Sequence, residues 1–302
     1  MQDGFDAVVF AGGGCRCAWQ GGFWETAAPA LGLAPRVVGA VSAGAMMATV
    51  LFAGDGARCL AHFKALTAAN RRNAYPRNLL RRRPVFPHAA IYRDTILASL
   101  DGDGVERLRA GPDVRVLLTR LPRWLGARSG VFVGFLAYQA DSVGGPRVHG
   151  HFGRRAGFVA EVVSMRACRT VAEVAELILH SSSTPPFTPV YRRDGRPVLD
   201  GGLIDAVPVE TVEPEARRTL VLLTKPHPAD ALPRVPGRVY VAPSEPVPVH
   251  KWDYTSPDGV QGAYDLGRRD GERFAREIAS AGEAAVPGAR CRETSRPDCT
   301  SV

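Results

Sequence analysis

Lysine is nearly absent. Lys64, Lys225 and Lys251 are the only three among 38 basic residues, so the formal charge of +8 is carried by arginine. Arginine forks suit phosphate and carboxylate groups, which leaves nucleic acid, anionic lipid and acidic partners open. A base composition favouring Arg, Ala, Gly and Pro together explains the bias as simply. Cysteine is also sparse, at positions 15, 17, 59, 168, 291 and 299. Cys15-x-Cys17 lacks a second close pair to complete a four-ligand zinc site. A chain of 302 residues can bury roughly three quarters of its unfolded surface, so it needs neither disulfides nor metal to hold a core. Reduced thiols point to a cytosolic setting. The opening residues Met1 to Asp6 contain two acids and no base, unlike a secretory leader. Residues 37–54 carry no charged side chain, yet their Ala and Gly content and the break at Ser42 mark a buried strand, a turn and a helix rather than a membrane span. There is no internal repeat and no dividing linker. With 45% hydrophobic and 23% charged residues, the chain is neither disordered nor collagen-like.

What is present is an α/β rhythm. Asp6 to Ala11 reads as a buried parallel strand running into Gly12-Gly13-Gly14. A helix follows, with Trp19, Phe23 and Ala27 on one face. Arg36 to Ala40 reads as a second strand, and Ala43 to Ala53 as a helix apolar on nearly every side. Helices are expected over Ala57 to Asn70, His88 to Leu100, Thr170 to His180 and Ala263 to Ala281. Strands are expected over Val114 to Thr119, Gly134 to Gln139, Leu220 to Leu223 and Val239 to Ala242, with a hairpin turn at Asp194-Gly195. Alternation of this kind predicts one α/β domain over 5–285, followed by a disordered tail at 286–302.

Three features can carry chemistry. The first is Gly12-Gly13-Gly14-Cys15-Arg16 at a strand-to-helix junction. Unobstructed backbone amides and a helix start there can hold a phosphate or an oxyanion, though a bare tight turn reads equally well. It is not a P-loop, which requires Gly-Lys-Ser/Thr. Nor is it a dinucleotide loop, since Cys17 replaces the last glycine and the next strand ends without an acid. The second is Ala40-Val41-Ser42-Ala43-Gly44-Ala45, whose small residues permit a nucleophile elbow; an ordinary serine N-cap is the plainer alternative. The third is Val198-Leu199-Asp200-Gly201-Gly202, an aspartate at a strand end, or simply a turn Asp-Gly.

His227 and His250 follow Asp200, so a Ser-Asp-His order is permitted. The glycine loop and the serine lie on the first two strands, however, which is not the α/β-hydrolase plan. His149, His151, His180 and His227 lie in loops or at a helix end. A dyad without histidine fits better.

In this order, Gly-Gly-Gly-x-Arg, a Ser42-Ala43-Gly44-Ala45 elbow, Ser181-Ser182-x-x-Pro185-Pro186-Phe187 and Asp200-Gly201-Gly202-Leu203-Ile204-Asp205-Ala206-Val207-Pro208 resemble the patatin-like phospholipase family. The likeness runs from about Phe5 to Val209, and more weakly to Ala242. It implies a three-layer α/β fold with a mainly parallel sheet flanked by helices. It also implies a Ser–Asp dyad cleaving lipid esters through an acyl-enzyme, without cofactor or metal. Matched by motif, Ser42 is the nucleophile and Asp200 the base. Gly13, Gly14 and Arg16 supply oxyanion-hole amides, and Gly12, Gly44, Gly201 and Gly202 support the turns. Cys17, Ala40 and Ala206 depart from the pattern without removing a reacting atom. An acyltransferase using the same acyl-enzyme, or a catalytically idle membrane- or partner-binding module, is the rival. The substrate implied is a phospholipid or another acyl-ester lipid. Nucleic acid is not expected, because no reading motif accompanies the charge. The basic stretch from Arg71 to Arg83, with Tyr75, Leu79 and Leu80 interleaved, is either a solvated loop or a contact with anionic membrane through Arg81, Arg82 and Arg83. The setting expected is cytoplasmic, with peripheral membrane contact.

Overall fold

The computed structural model describes residues 4–122, 148–149 and 152–284. The expected strand at Gly134 to Gln139 and the expected tail at 286–302 lie outside these residues.

The first five elements follow the apolar pattern closely. They are β1 (Ala7–Phe10), α1 (Ala18–Leu31), β2 (Val37–Val41), α2 (Ala43–Ala53) and α3 (Gly56–Ala69). After a 3-10 turn at Pro76–Arg81 come α4 (His88–Ser99), α5 (Gly104–Ala110) and β3 (Asp113–Arg120). Then follow α6 (Phe152–Arg155), β4 (Val159–Ser164), α7 (Val171–Ser181) and the hairpin β5 (Arg192–Arg193) and β6 (Arg196–Asp200). Asp194 and Gly195 turn that hairpin with φ of 51° and 70°, as two-residue hairpin loops require. The chain closes with β7 (Thr219–Leu222), β8 (Arg238–Val241) and α8 (Pro257–Ala284). The last helix begins six residues before the expected Ala263. Three elements were not legible in the pattern, α5, the short α6 and β4. Strand β4 leaves Val159 and Val162 exposed at 57% and 47%, so it shows no buried face to read.

β1 pairs in parallel with β2 and β7, β7 with β8, and β2 with β3. Hairpin strand β6 and strand β4 join β3 antiparallel. The sheet is therefore mixed but mostly parallel at its centre. Its central strands bury both faces, which is why they read as unbroken apolar runs. Val8 and Phe10 face a large core with Trp19, Phe23, Ile96 and Leu118. Ala7 and Val9 face a smaller one with Val207, Val209 and Val221. Long helices cover the first face. Among the described residues, short turns at Gly201–Leu203 and Val209–Thr211 and helix α6 lie toward the second. The expected helix-flanked α/β fold is the one observed. Helix α8 locks onto α1 where buried Trp19 donates from Nε1 to Asp270 at 2.8 Å.

The register of β3 decides what meets at the sheet's edge. β2 runs along one edge of β3 until Val41 pairs with Leu117. β6 comes from the opposite direction along that same edge and ends with Asp200 beside Leu118. The other edge of both leucines is taken by β4, through Val162 and Glu161. The two strands thus meet tip to tip, and the residues at their tips are Ser42 and Asp200.

Candidate active site

Ser42 sits between β2 and α2 with φ 53° and ψ −131°, a backbone that a side chain-bearing residue adopts only under strain. Its hydroxyl does not cap the helix, so the N-cap alternative is not what the geometry contains. Instead Oγ donates to Asp200 Oδ2 at 2.7 Å. The Ser42 amide donates to Ser181 Oγ at 2.8 Å, and that hydroxyl donates to the Leu117 carbonyl at 2.7 Å. A serine from α7 therefore ties the strained turn to β3. Gly44 lets the turn close: a Cβ there would stand 2.5 Å from the Phe10 carbonyl.

Asp200 uses its two oxygens differently. Oδ1 accepts from the Gly202 amide at 2.7 Å, capping the short turn behind it. Oδ2 accepts from Ser42 and also from Thr184 Oγ1 at 3.1 Å. The Asp-Gly turn and the partnership with serine are thus both realised. Burial pushes the carboxyl above its ordinary range, against the opposing pull of Ser42, Gly202, Thr184 and the Lys251 charge. A carboxylate made more basic in this way, hydrogen-bonded to a hydroxyl, can take its proton as the oxygen attacks an electrophile.

The glycine loop lies against this pair. A Cβ built on Gly12 would stand 3.4 Å from Ser42 Cβ. The loop is held at both ends, with the Gly12 amide on the Ala206 carbonyl at 2.9 Å and the Cys15 amide on the Lys251 carbonyl at 3.1 Å. Between these anchors the Gly13 and Gly14 amides make no backbone hydrogen bond among the described residues. Gly14 has φ 59°, and a Cβ there would lie 2.1 Å from the Lys251 carbonyl, so only glycine fits. Residues Gly14–Cys17 form a 3-10 turn leading into α1, and its i→i+3 pattern turns the Arg16 amide back toward Gly13. Arg16 Nε also donates to the Gly13 carbonyl at 3.4 Å. Gln20, buried at the start of α1, bonds the Ala11 and Leu222 carbonyls at 2.9 Å and fixes the loop to the ends of β1 and β7.

Beside the loop opens an apolar cavity whose wall includes Gly14, Ala43, Met46, Phe63, Tyr92 and Tyr254. Tyr92 is also joined to the site, its hydroxyl reaching the Ser42 carbonyl at 3.5 Å. Cys15 and Cys17 line the same space, and burial pushes both thiols far above the usual range. They are inert walls rather than nucleophiles.

Among the described residues no histidine nitrogen bonds Ser42 or Asp200. His149 is half-buried and pairs through Nδ1 with Asp205 at 2.8 Å, and through Nε2 with the Tyr240 hydroxyl at 3.1 Å. His88 opens α4 and His180 lies in the last turn of α7, as expected, and both are buried. Residues 150 and 151 lie outside the described set. No group of three or more His, Cys, Asp or Glu is placed to hold a metal among the described residues. No described helix is long and apolar enough to cross a membrane. Arg81, Arg82 and Arg83 are exposed at the end of the 3-10 turn that presents Leu79 and Leu80, exposed at 73% and 89%.

A sequence-family profile described as "Patatin-like phospholipase" matches residues 8–212. No curated protein matches the chain significantly. Among solved structures, "Crystal structure of VipD from Legionella pneumophila" is similar at TM-score 0.45 and 11% identity, over 91% of this chain and 67% of that one. That likeness is too slight to inform the site.

Proposed function

This chain belongs to the patatin-like phospholipase family, and on that premise we propose that Ser42 and Asp200 are its catalytic dyad. The family's chemistry is hydrolysis of lipid esters through an acyl-enzyme. What carries the residue assignment is the 2.7 Å hydrogen bond from Ser42 Oγ to Asp200 Oδ2 at the strand tips. Ser42 attacks the ester carbonyl while its proton passes to Asp200. The tetrahedral oxyanion forms against the Gly13 and Gly14 amides, with Arg16 as a third donor shared with the Gly13 carbonyl. Collapse expels the alcohol, which takes the proton back. Water then attacks the acyl-enzyme with Asp200 again as base, and the fatty acid leaves. Each oxyanion donor supplies about 3 kcal/mol. The acyl chain lies in the apolar cavity beside Ala43.

The stretch 5–285 acts as one acyl-hydrolase unit in a cytoplasmic setting. The Arg71 to Arg83 segment meets anionic membrane. Two observations support that contact. Leu79 and Leu80 project among arginines, the composition of an interfacial anchor. The segment is also tied to the site's border, since Asn73 bonds Asp253 at 3.1 Å and the Tyr254 amide at 2.8 Å, two residues beyond Lys251. Purified protein incubated with mixed phospholipids, followed by mass spectrometry of the products, tests the activity. Free fatty acid and lysolipid are expected, and acyl transfer without free acid would replace hydrolysis with transfer. Changing Arg81, Arg82 and Arg83 together to Gln should weaken binding to anionic vesicles and spare a soluble ester. Equal binding at low and moderate salt would reduce the segment to a solvated loop.

A further inference from the structure

Asp200 is held at four polar points, and three of them are tied to the frame. Its amide donates to the Ser183 carbonyl at 2.8 Å, and its own carbonyl accepts from Thr119 Oγ1 at 2.8 Å. Oδ1 accepts from the Gly202 amide at 2.7 Å. The fourth point, Oδ2, takes two hydroxyls, Ser42 Oγ at 2.7 Å and Thr184 Oγ1 at 3.1 Å. Ser42 is the group that reacts. Thr184 is not, and its hydroxyl is still there once Ser42 has been consumed.

The backbone of Thr184 is fastened independently of the carboxylate, since its amide donates to Thr188 Oγ1 at 2.7 Å. The residue before it, Ser183, receives the Asp200 amide, so this turn and the tip of β6 move as one. The hydroxyl has one hydrogen and two acceptors within reach, Asp200 Oδ2 and the Ser182 carbonyl at 3.3 Å. With Asp200 ionised, that hydrogen belongs on Oδ2. With Asp200 protonated, rotation about the Cβ–Oγ1 bond sends it to Ser182 and leaves the oxygen able to accept. Such a hydroxyl can stay bonded to the carboxyl in either state.

We propose that Thr184 is a positioning residue that holds Asp200 as the base of the second half-reaction, when Ser42 is acylated and no longer donates. This rests on the dyad reading above and adds to it what steadies the base between the two halves. In the acyl-enzyme Ser42 Oγ is an ester oxygen without a hydrogen, so Oδ2 loses its 2.7 Å bond. Thr184 is then the remaining side-chain donor on that oxygen among the described residues. The attacking water bonds through oxygen to the acyl carbon and gives a proton to Oδ2. The bond from that carbon to Ser42 Oγ breaks, and Oγ takes the proton back. A buried carboxylate stripped of both hydroxyls loses the donors that hold its charge and its direction.

Pre-steady-state hydrolysis of a soluble aryl ester separates the halves, the phenol burst reporting acylation and the steady rate deacylation. Thr184→Val keeps the branched shape without the hydroxyl. It should slow deacylation about tenfold or more, while acylation, in which Ser42 still donates, changes by less than about threefold. Acyl-enzyme on Ser42 should then accumulate in acid-quenched samples, and kcat and KM should fall together. Thr184→Ser should restore the wild-type pattern. Equal slowing of both halves, no change in either, or a Ser variant as slow as Val would overturn the proposal. In parallel, the Asp200 carboxyl is titrated by infrared difference spectroscopy in Ser42→Ala, with and without Thr184→Val, its band identified by loss in Ser42→Ala/Asp200→Asn. Removing Thr184 should move the midpoint up by about one pH unit, and an unmoved midpoint would contradict the assignment. Lys251, Cys17 and Tyr92 also sense this carboxylate. Lys251 is brought down only to about 8, and burial keeps the thiol and the phenol neutral, so all three hold their charge across the acid range. Should the wild type cleave no ester, it is the hydrolase reading that fails, and the titration alone decides the role of Thr184.

Discussion

Two aspartates at opposite ends of the same sheet are pushed in opposite directions. Asp6 lies just before β1, and Asp200 at the tip of β6 on the side where β1 and β2 end. Burial is the largest influence on both, and it favours the neutral acid in each case. At Asp6 it is outweighed. The amides of Arg218 and Arg217 donate to the carboxylate at 2.8 and 3.1 Å, and the Arg36 guanidinium at 3.3 Å. Asp6 is held below its ordinary 3.8. At Asp200 two hydroxyls and one amide do not outweigh burial, and the carboxyl rises above 3.8. One end of the sheet uses a carboxylate to fasten the chain. The other keeps one under-compensated, next to a strained serine. The difference lies first in depth, since the Asp200 carboxyl is fully buried and that of Asp6 only partly so, and then in the donors, where Asp6 adds a guanidinium charge to its backbone amides.

Exchanging the charge at each end should separate the two roles. Asp200→Asn should lower ester hydrolysis by about 10³-fold or more, while Asp6→Asn leaves kcat/KM within about twofold. Comparable activity losses at both sites would dissolve the contrast. Gly44→Val should come next, losing about 2 to 3 kcal/mol in urea unfolding through overpacking against the Phe10 carbonyl. Stability against pH sharpens the contrast further. Asp6 is depressed, so its contribution is present above 3.8 and is lost as the pH falls through its folded value. Asp6→Asn should cost about 1 to 2 kcal/mol at neutral pH and flatten the acid limb. Asp200 is raised, so ionising it costs stability as the pH climbs through its folded value. Asp200→Asn should therefore unfold no earlier than wild type at pH 7, and a lower thermal midpoint would contradict this. The smallest effect is expected from His227→Ala and His250→Ala, each changing hydrolysis by less than about tenfold. A collapse on either would restore a histidine base.

Much of the frame was legible because each element announces itself locally. The apolar runs of β1 and β2 and the small residues around Ser42 place a strand, a turn and a helix within a residue or so of where they stand. The meeting of Ser42 with Asp200 is another matter. They are 158 residues apart, and their contact follows from where β2 and β6 stop along β3, which no local pattern encodes. Thr184 is an unspecified position in the Ser181 to Phe187 motif, although its hydroxyl shares Asp200 Oδ2. Lys225 and Lys251 carried no motif at all. The Thr224 hydroxyl and the Lys251 carbonyl reach the glycine turn through loops that return to it. Nor did the glycine-rich surroundings of His149 hint at its bond to Asp205, since that pairing depends on the segment after β6 crossing toward β8.

The central claim is that Ser42 becomes a nucleophile because Asp200 takes its proton. An alkyl fluorophosphonate tests it directly: the Ser42 oxygen forms a bond to phosphorus, fluoride departs, and the proton goes to Asp200. Peptide mapping by mass spectrometry then locates the adduct. A single stoichiometric adduct on Ser42 is expected in the wild type, with labelling abolished in Ser42→Ala and slowed by orders of magnitude in Asp200→Asn. An adduct on any other residue, or wild-type labelling rates in Asp200→Asn, would contradict the account.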